Sequence, residues 1–459
     1  MIKKKNISNL LILFFGAHLV LWTLAPTISN TNLPLDTIEH LAWGSNLDWG
    51  FNKHPPLVGV ILELFYQIFG SQDWAYYFLS QIFIVLTFYI VYKFSEIFFE
   101  NKVYALISIL LLEGVYFYNF TTPEFNVNIC QLPFWALTVL FCWRGLEQNQ
   151  TLDWFLFGLF AALGVLSKYL FIYLLAAIGF FIIYMIFKKK LNQKCLIALA
   201  PFFLLMTPHL IWLTENDYVT LTYGLQRTGT GDQTLLDHIY NPFIFLIKQL
   251  GILIPFLFML SFLVSKIKIN FNLRDKRLIF LFFVSIVPIF LIFLTSIIMG
   301  VKIRTMWMTP FYLFIGLFFL YIFKKKLTLK KINTFFVSFL ILFLISPTIY
   351  LYISFSQKDK RTDFPGKEIA ELVERRWNRN FTNEIQNIIG DEWFAGNLSY
   401  HLKSRPKWFN DWPDKLENIN LDGLIVTGNS KILKEVCPVN RGAIFGTIRK
   451  HGICMMGKR

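Results

Sequence analysis

The sequence predicts a polytopic α-helical membrane protein that carries a small polar domain at its C-terminal end. Of its 459 residues, 55% are hydrophobic, 16% are charged and 51 are Phe. Apolar runs recur as far as about residue 353, and most are near the roughly 20 residues that cross a bilayer as a helix. Basic residues gather in alternate loops between these runs. The chain is therefore expected to cross a membrane many times.

About eleven spans are expected, because a crossing helix needs roughly 17 to 25 predominantly apolar residues. The apolar stretch 154–187 is divided at Ser167 and Lys168, since a lysine inside the hydrocarbon layer is costly unless it lines a cavity or the chain surfaces there. The expected spans are 7–28, 74–99, 103–118, 127–146, 154–166, 169–187, 195–213, 242–264, 278–299, 305–323 and 332–353.

The positive-inside rule assigns the basic loops to the cytoplasm. The N-terminus is therefore expected in the cytoplasm, with the 29–55 loop and the polar tail outside. The first span is longer than a signal peptide and no A-x-A cleavage site follows it, so it is expected to stay as an anchor. The basic clusters are Lys3 to Lys5, Lys188 to Lys190 with Lys194, the 266–277 loop, and Lys324 to Lys331.

The net charge of +15 is explained by these loop lysines, and no nucleic-acid partner is expected. The sequence has no CxxC pair and no Cys/His ligand cluster, so a structural zinc site is not expected either. Cys437 and Cys454 lie in the outward tail, where they could form a disulfide or remain as thiols.

The tail differs from the rest of the chain, because its patterns are short and mixed. A helical pattern begins at Gly366, and short strand patterns follow around 421–427 and 442–448. These predict a small α/β domain. The expected division is a transmembrane catalytic domain at 1–355 and an extracytoplasmic C-terminal domain at 356–459.

The stretch 35–57 places several ionisable residues beside the membrane. Asp36 and Glu39, three residues apart, would share one face of a helix that begins after Pro34, and such carboxylates can act as a general base or hold a divalent metal ion. The alternative is that Asp36 only caps the helix and Glu39 is a solvated loop residue. Lys53 and His54 are candidate phosphate contacts, although the prolines after them could simply begin the next helix.

Further candidates lie in the other outward loops. Glu124 stands in the 119–126 loop, where helix capping is the alternative role. Lys168 could bind a donor phosphate or extend to the lipid headgroups. Arg304 could bind the same phosphate, or could anchor the chain at the interface together with Trp307. All four positions fall on the expected outer side.

In this order and with this topology, the motifs resemble the polytopic GT-C glycosyltransferases that use polyprenyl-phosphate sugars. The resemblance covers nearly the whole chain. It is strongest for the bacterial branch related to protein O-mannosyltransferases (glycosyltransferase family 39) and lipid A aminoarabinose transferases. The motifs are LDTIEH and HPPL within 35–57, TPE at 122–124, GLFAALGVLSKY at 158–169, RTMWMTP at 304–310 and GDEWFAGNLSYHLKSRP at 390–406.

The resemblance implies a catalytic or metal-associated role for Asp36 and an acidic partner at Glu124. The sequence departs from the family at two acidic positions and at one basic position. Thr37 follows Asp36, so that the second acid of the first loop is Glu39, and the second loop has TPE where the family often has TPD. His54 also stands where related enzymes place a lysine, which leaves the phosphate-binding cation open between Lys53 and His54.

By this resemblance the protein is expected to move a sugar, with an amino sugar as one candidate, from a polyprenyl-phosphate donor to lipid A or another envelope glycolipid. The expected location is the periplasmic side of a bacterial inner membrane. The donor phosphate would lie near Lys53, His54, Lys168 or Arg304, and a divalent metal ion could assist at Asp36. Protein O-glycosylation is an alternative acceptor chemistry. A lipid or sugar flippase is an alternative of another class, and it would predict paired broken helices in matching halves.

Overall fold

The computed structural model describes residues 4–229, 231, 233–267, 271–410, 422–439 and 442–459. Lys3, Lys268 and residue 421, which entered the sequence predictions above, lie outside the described residues. The chain forms two compact units. Unit 1 comprises 1–25, 49–55 and 78–352, and unit 2 comprises 26–48, 56–77 and 353–459.

The prediction of a polytopic helical membrane protein is confirmed. Among the described residues, eight helices are long and apolar enough to cross a membrane, or nine if the bent pair Thr305–Tyr312 and Ile315–Ile322 is one span. The predicted number of about eleven is not confirmed. The expected span 103–118 is a nine-residue helix followed by two 3₁₀ turns, and 154–166 lies in a helix of only 17 residues.

Most of the long helices lie in unit 1, and α1, α4 and α15 each extend into unit 2 at one end. The helices are α1 Lys4–Ser29, α4 Asp73–Ser95, α5 Lys102–Leu110, α6 Val127–Gln148, α7 Thr151–Ser167, α8 Ile172–Phe187, α9 Leu199–Glu215, α10 Val219–Thr228, α11 Asp237–Ser261, α12 Lys276–Ser285, α13 Val287–Met299, α14 Ile315–Ile322 and α15 Ile332–Ser356.

A buried polar cluster interrupts the apolar packing of unit 1 where the 103–118 region stops being an α-helix. Glu113, 3% exposed, lies 2.9 Å from His18 Nδ1 through its Oε1. The Asn119 side-chain amide donates to the Glu113 carbonyl at 2.9 Å and to its carboxylate at 3.2 Å, and Ser346 donates to Asn119 Oδ1. Because Asn119 begins the 119–126 loop, this cluster fixes the start of the loop that carries Glu124.

Unit 2 combines two helices from the early chain with the C-terminal domain. Its helices are α2 Leu35–Gly44, α3 Leu57–Phe69, α16 Gly366–Asn380, α17 Phe394–His401 and α18 Ser430–Val436. Its strands are β1 Asn387–Ile389, β2 Lys407–Phe409, β3 Leu424–Asn429, β4 Ile444–Ile448 and β5 His451–Met456.

The strands form one mixed sheet in the order β2-β1-β3-β5-β4. β1 pairs in parallel with β2 and β3, while β5 pairs antiparallel with β3 and β4. Cys437 and Cys454 form a disulfide inside a small apolar core with Ile389, Leu424 and Met456. The predictions of a helix from Gly366 and of strands near 421–427 and 442–448 are confirmed for the described residues.

Candidate functional site

The two carboxylates of the first loop lie in α2 of unit 2. Pro34 is the residue before the first helical turn, and Asp36 stands within that turn, where its charge complements the helix dipole. Glu39 follows three residues later in the same helix, so the two carboxylates share a face. Asp36 is half-buried and Glu39 is 8% exposed.

The structure tests the alternative for Glu39. Glu39 is a buried helical residue, so its interpretation as a solvated loop residue is wrong. Pro34 occupies the N-cap position, and no side-chain capping hydrogen bond is made there. The ring Nδ1 of His40, one turn further along, bonds to the Asp36 carbonyl oxygen. Asp36 is therefore held by its helix, with its carboxylate at the helix N-terminus.

Helix α2 packs directly on α17 of the C-terminal domain. A Cβ placed on Gly396 would lie 3.2 Å from the Ala42 Cβ and 3.3 Å from the Ile38 Cγ2, so a side chain there would require α2 to shift by a few tenths of an ångström. The end of α2 is held as well, because the Trp408 backbone N–H donates to Ser45 Oγ at 2.9 Å. The motif at 390–406 thus supplies the surface that positions the helix of Asp36.

Arg405 joins three parts of unit 2. Its guanidinium donates to the Leu41 carbonyl at 2.6 Å, to Glu63 Oε2 at 2.7 Å and to the Ser399 carbonyl at 3.2 Å. It also lies 4.1 Å from the centre of the Tyr66 ring. The side chains of Arg405 and Glu63 are 11% and 13% exposed, so this pair is largely withdrawn from water.

His401, at the end of α17, is expected to make unit 2 sensitive to acid. Its Nε2 lies 3.1 Å from Asn32 Oδ1, and burial, followed by the charge of Lys367, lowers its pKa to about 4. In the unfolded chain the pKa is about 6.5, so between pH 6.5 and 4 the unfolded chain takes up a proton that the folded protein does not. The free energy of unfolding is therefore highest above pH 6.5 and falls by about 3 kcal/mol as the pH drops toward 4.

This pH dependence can be measured as the midpoint of thermal unfolding of the detergent-solubilised protein between pH 4 and 7. His401→Gln keeps a side-chain N–H donor but does not titrate, so its curve should be flatter than that of the wild type over this range. Parallel curves for the two proteins would contradict the role of His401.

In unit 1, Lys168 stands where α7 ends and the chain turns extended for one residue before a 3₁₀ turn. Its side chain is directed inward, since the residue is only 5% exposed. The ammonium donates to Asn128 Oδ1 at 2.5 Å and lies 5.5 Å from the centre of the Trp307 ring. The alternative that Lys168 extends to the lipid headgroups is therefore wrong.

The start of α6 connects Lys168 to the acidic residue of the 119–126 loop. Asn126 caps α6 by accepting from the backbone N–H groups of Asn128 and Ile129. Its side-chain amide donates to Glu124 Oε2 at 3.4 Å. Because Asn126 provides the cap, Glu124 is not needed for that role, and its half-buried carboxylate lies four residues before the side chain that holds Lys168.

The segment 49–55, which carries Lys53 and His54, is held by contacts with α9 and α10. His209 bonds to the Trp49 carbonyl through Nδ1 at 2.6 Å, and Thr220 donates to the Phe51 carbonyl at 2.6 Å. The Lys53 ammonium lies 6.0 Å from the centre of the Tyr223 ring. The His54 ring centre lies 6.5 Å from the same ring. As predicted by the alternative for this motif, Pro56 directly precedes α3.

Arg304 lines an open cavity of about 500 Å³ in unit 1. Arg227 and Lys302 add two more positive charges to its wall. The acidic residue of the wall, Asp237, accepts hydrogen bonds from the backbone N–H and the hydroxyl of Thr234, both at 2.8 Å. The cavity is therefore net positive and suited to an anion such as a phosphate.

The four predicted phosphate contacts, Lys53, His54, Lys168 and Arg304, are linked through residues of α10 and of the segment that follows Arg304. α10 carries Tyr223, next to Lys53 and His54, and one turn later Arg227, in the cavity with Arg304. Trp307, three residues after Arg304, lies against Lys168. Glu124 is connected to this group through α6, while Asp36 and Glu39 belong to unit 2.

Several residues of this site were not predicted. Asn128, Tyr223 and His209 make contacts that join residues at least 40 positions apart, which no local pattern reveals. The sequence Asn-Val-Asn at the start of α6 is a capping signal that could have drawn attention to Asn126. Within the described parts of the chain, no group of three or more His, Cys, Asp and Glu side chains is arranged to hold a metal ion.

Two comparisons relate this geometry to known proteins. The family model for dolichyl-phosphate-mannose-protein mannosyltransferases matches residues 53–212, which include Lys53, His54, Glu124 and Lys168. No curated protein sequence matches the chain.

Solved structures of ArnT from Cupriavidus metallidurans share the fold. The form bound to undecaprenyl phosphate superposes with a TM-score of 0.63 at 11% identity, covering 97% of this chain and 98% of that one. The apo form gives a TM-score of 0.62 at 11% identity, covering 97% of each chain.

These findings confirm two predictions at different levels. The GT-C fold with a small C-terminal sheet domain is confirmed over almost the whole chain by ArnT. The enzyme class is confirmed through the mannosyltransferase model over residues 53–212. The chain is thus a multi-pass membrane glycosyltransferase that has the fold of ArnT and that matches, over residues 53–212, the family model of the dolichyl-phosphate-mannose-protein mannosyltransferases.

Proposed function

We propose that this protein transfers a sugar from a polyprenyl-phosphate donor to lipid A or another envelope glycolipid of a Gram-negative bacterium. The reaction takes place on the periplasmic side of the inner membrane, with the N-terminus in the cytoplasm and the C-terminal domain in the periplasm. An amino sugar is one candidate for the transferred group. The proposal is supported by the fold shared with ArnT, one structure of which holds undecaprenyl phosphate.

The observation that carries the proposal is the buried ammonium of Lys168, fixed between Asn128 and the Trp307 ring. When the bond between the anomeric carbon and the phosphate breaks, negative charge grows on the leaving phosphate. A fixed cation in a site with little water stabilises that charge more strongly than it would in bulk solution. Lys53 and Arg304 supply further positive charge in the same unit, and the His54 ring can donate a hydrogen bond.

Asp36 has a role that depends on the acceptor. An acceptor hydroxyl must lose a proton as it attacks the anomeric carbon, and the Asp36 carboxylate can accept that proton. An acceptor phosphate is already anionic, so with such an acceptor Asp36 would orient the sugar instead. Glu39 and Glu124 are proposed as further acidic residues that assist the reaction. A divalent metal ion at Asp36 is a separate proposal, tested by activity after chelation and readdition of Mg²⁺ or Mn²⁺.

Mass spectrometry of lipid A and total envelope glycolipids from a deletion strain tests the function. The strain is complemented with the wild type or with Asp36→Asn, which keeps the shape of the side chain but cannot accept a proton at neutral pH. We expect one sugar mass to disappear in the deletion strain and to return with the wild type only. The activity of Asp36→Asn should be reduced by about 100-fold or more.

The matched control is Asn46→Asp in the turn after α2, and all proteins must reach the membrane in equal amounts. An unchanged glycolipid profile in the deletion strain would contradict transfer to glycolipid. Full activity of Asp36→Asn would contradict only the role of Asp36 and not the transfer to glycolipid.

Protein O-glycosylation is the second candidate, favoured by the description of the matching family model, whose members act on proteins. It predicts glycopeptides that are present in the wild type and missing from the deletion strain. Their loss, together with an unchanged glycolipid profile, would replace the first candidate with the second.

A further inference from the structure

A groove rich in arginine lies in the C-terminal domain, between α16 and the hairpin formed by β4 and β5. It has a volume of about 510 Å³, which is in the range of small-molecule sites. Four arginines line it, against a single glutamate. These residues are Arg375, Arg376, Arg379, Arg449 and Glu368. All of them belong to unit 2.

The groove contains a buried polar group and is more than a row of solvated charges. The Nη1 atom of Arg376 is buried and has no hydrogen-bond acceptor among the described residues. It lies against Gly446 of β4, where a Cβ would come within 2.0 Å of that nitrogen. A buried guanidinium N–H without an acceptor is unfavourable, unless a ligand supplies the acceptor.

The two sides of the groove present their charges from rigid elements. Arg375, Arg376 and Arg379 lie on one amphipathic helix, whose apolar face, with Ile369 and Val373, is buried in the domain. Arg449 lies opposite them in the two-residue turn between β4 and β5, with a φ of +55°. A left-handed backbone is unfavourable for arginine, so local conformational preference does not explain this residue.

We propose that this groove binds the phosphate groups of the saccharide headgroup of a glycolipid acceptor. Arginine is suited to this task because its planar guanidinium can donate two parallel hydrogen bonds to phosphate oxygens. The net charge of the groove matches a headgroup with more than one phosphate, such as that of lipid A. The inference rests on the proposed function, since it assigns the recognition of the acceptor to a surface distinct from the donor phosphate contacts.

The test measures binding, independently of sugar transfer. Fluorescently labelled full-length protein in neutral-detergent micelles is titrated with lipid A carrying both phosphates, with lipid A whose phosphates have been removed, and with phosphatidylglycerol. The variant is Arg375→Gln/Arg379→Gln/Arg449→Asn. Asparagine is chosen at 449 because it tolerates the left-handed backbone, and Arg376 is kept because it packs against β4.

We expect the variant to bind phosphorylated lipid A at least about ten-fold more weakly and dephosphorylated lipid A equally well. Lys403→Gln/Lys431→Gln/Lys434→Gln removes three exposed charges from the same domain and should bind like the wild type. Three results would overturn the inference: unchanged binding by the arginine variant, equal loss in the lysine control, or equally tight, arginine-dependent binding of phosphatidylglycerol.

The glycolipid analysis of the deletion strain separates this inference from the proposed function. If lipid A binding depends on the arginines but the deletion strain has unchanged glycolipids, the groove is a phosphate-binding site and the proposed transfer to lipid A is wrong. If the deletion strain lacks a modified glycolipid but binding does not depend on the arginines, only the inference about the groove is wrong.

Discussion

Replacing Lys168 by methionine is expected to reduce sugar transfer by about 100- to 1,000-fold, the range seen when one fixed donor to a developing anion is removed. Methionine has nearly the length of lysine and fills the same space beside Trp307 without a charge. Because Lys168 is 5% exposed, the substitution also removes the cost of burying an ammonium, so the protein should not become much less stable. The effect should appear in the rate of transfer.

The measurement is the initial rate of formation of the product identified in the deletion strain, with membranes of equal protein content. Lys190→Met, an exposed lysine after α8, is the matched control and should retain wild-type activity. Asn128→Ala should give a smaller loss, because Lys168 keeps its charge but loses the acceptor that orients it. A Lys168→Met protein with more than half the wild-type rate would show that the donor phosphate is bound elsewhere.

Replacing Arg405 by methionine is expected to cause the largest loss of stability, about 3 to 5 kcal/mol, because Glu63 would be left as a largely buried charge without its partner. The substitution also removes the donor to the Leu41 carbonyl of α2. The midpoint of thermal unfolding in detergent should fall by about 10 °C. Hydrogen exchange should become faster in α2, α3 and α17 in particular.

The double variant Glu63→Met/Arg405→Met separates the buried charge from the packing. Replacing both partners by apolar side chains of similar size should recover most of the lost stability. Lys403→Met, two residues before Arg405 and exposed, is the control and should unfold like the wild type. If Arg405→Met and the control unfold at the same temperature, the contacts of Arg405 do not stabilise unit 2.

Much of the fold could be predicted from the sequence because apolar length and amphipathic period are local properties. The helix at Gly366–Asn380 and the start of α2 after Pro34 followed from such signals. The number of spans could not be predicted in this way. The apolar stretch 103–118 does not form one helix, because Glu113 within it is buried by contacts with His18 and Asn119. These contacts, and not the apolar count, decide where the helix near 110 ends.

In the candidate site, too, some residues could be predicted from local sequence and others could not. Its charged residues could be selected because ionisable side chains beside apolar runs are rare, and the prediction of their roles still awaits experiment. Their partners could not be selected, because Asn128 and Lys168 meet only once α6 and α7 have packed. The motif at 390–406 likewise does not reveal the role of Arg405, because its partners Leu41 and Glu63 lie more than 300 positions earlier in the chain.

The close packing of Gly396 on α2 also determines when this enzyme can mature during its synthesis. The two contact surfaces, at Ala42 and Gly396, are separated by about 350 residues of chain. At ribosomal rates of roughly 5 to 20 residues per second, the second emerges about 20 to 70 s after the first. Throughout that interval α2, with Asp36, lacks the surface on which it packs. A ribosome that stops before residue 394 would thus release a chain with most of its apolar helices but without the packed helix that presents Asp36.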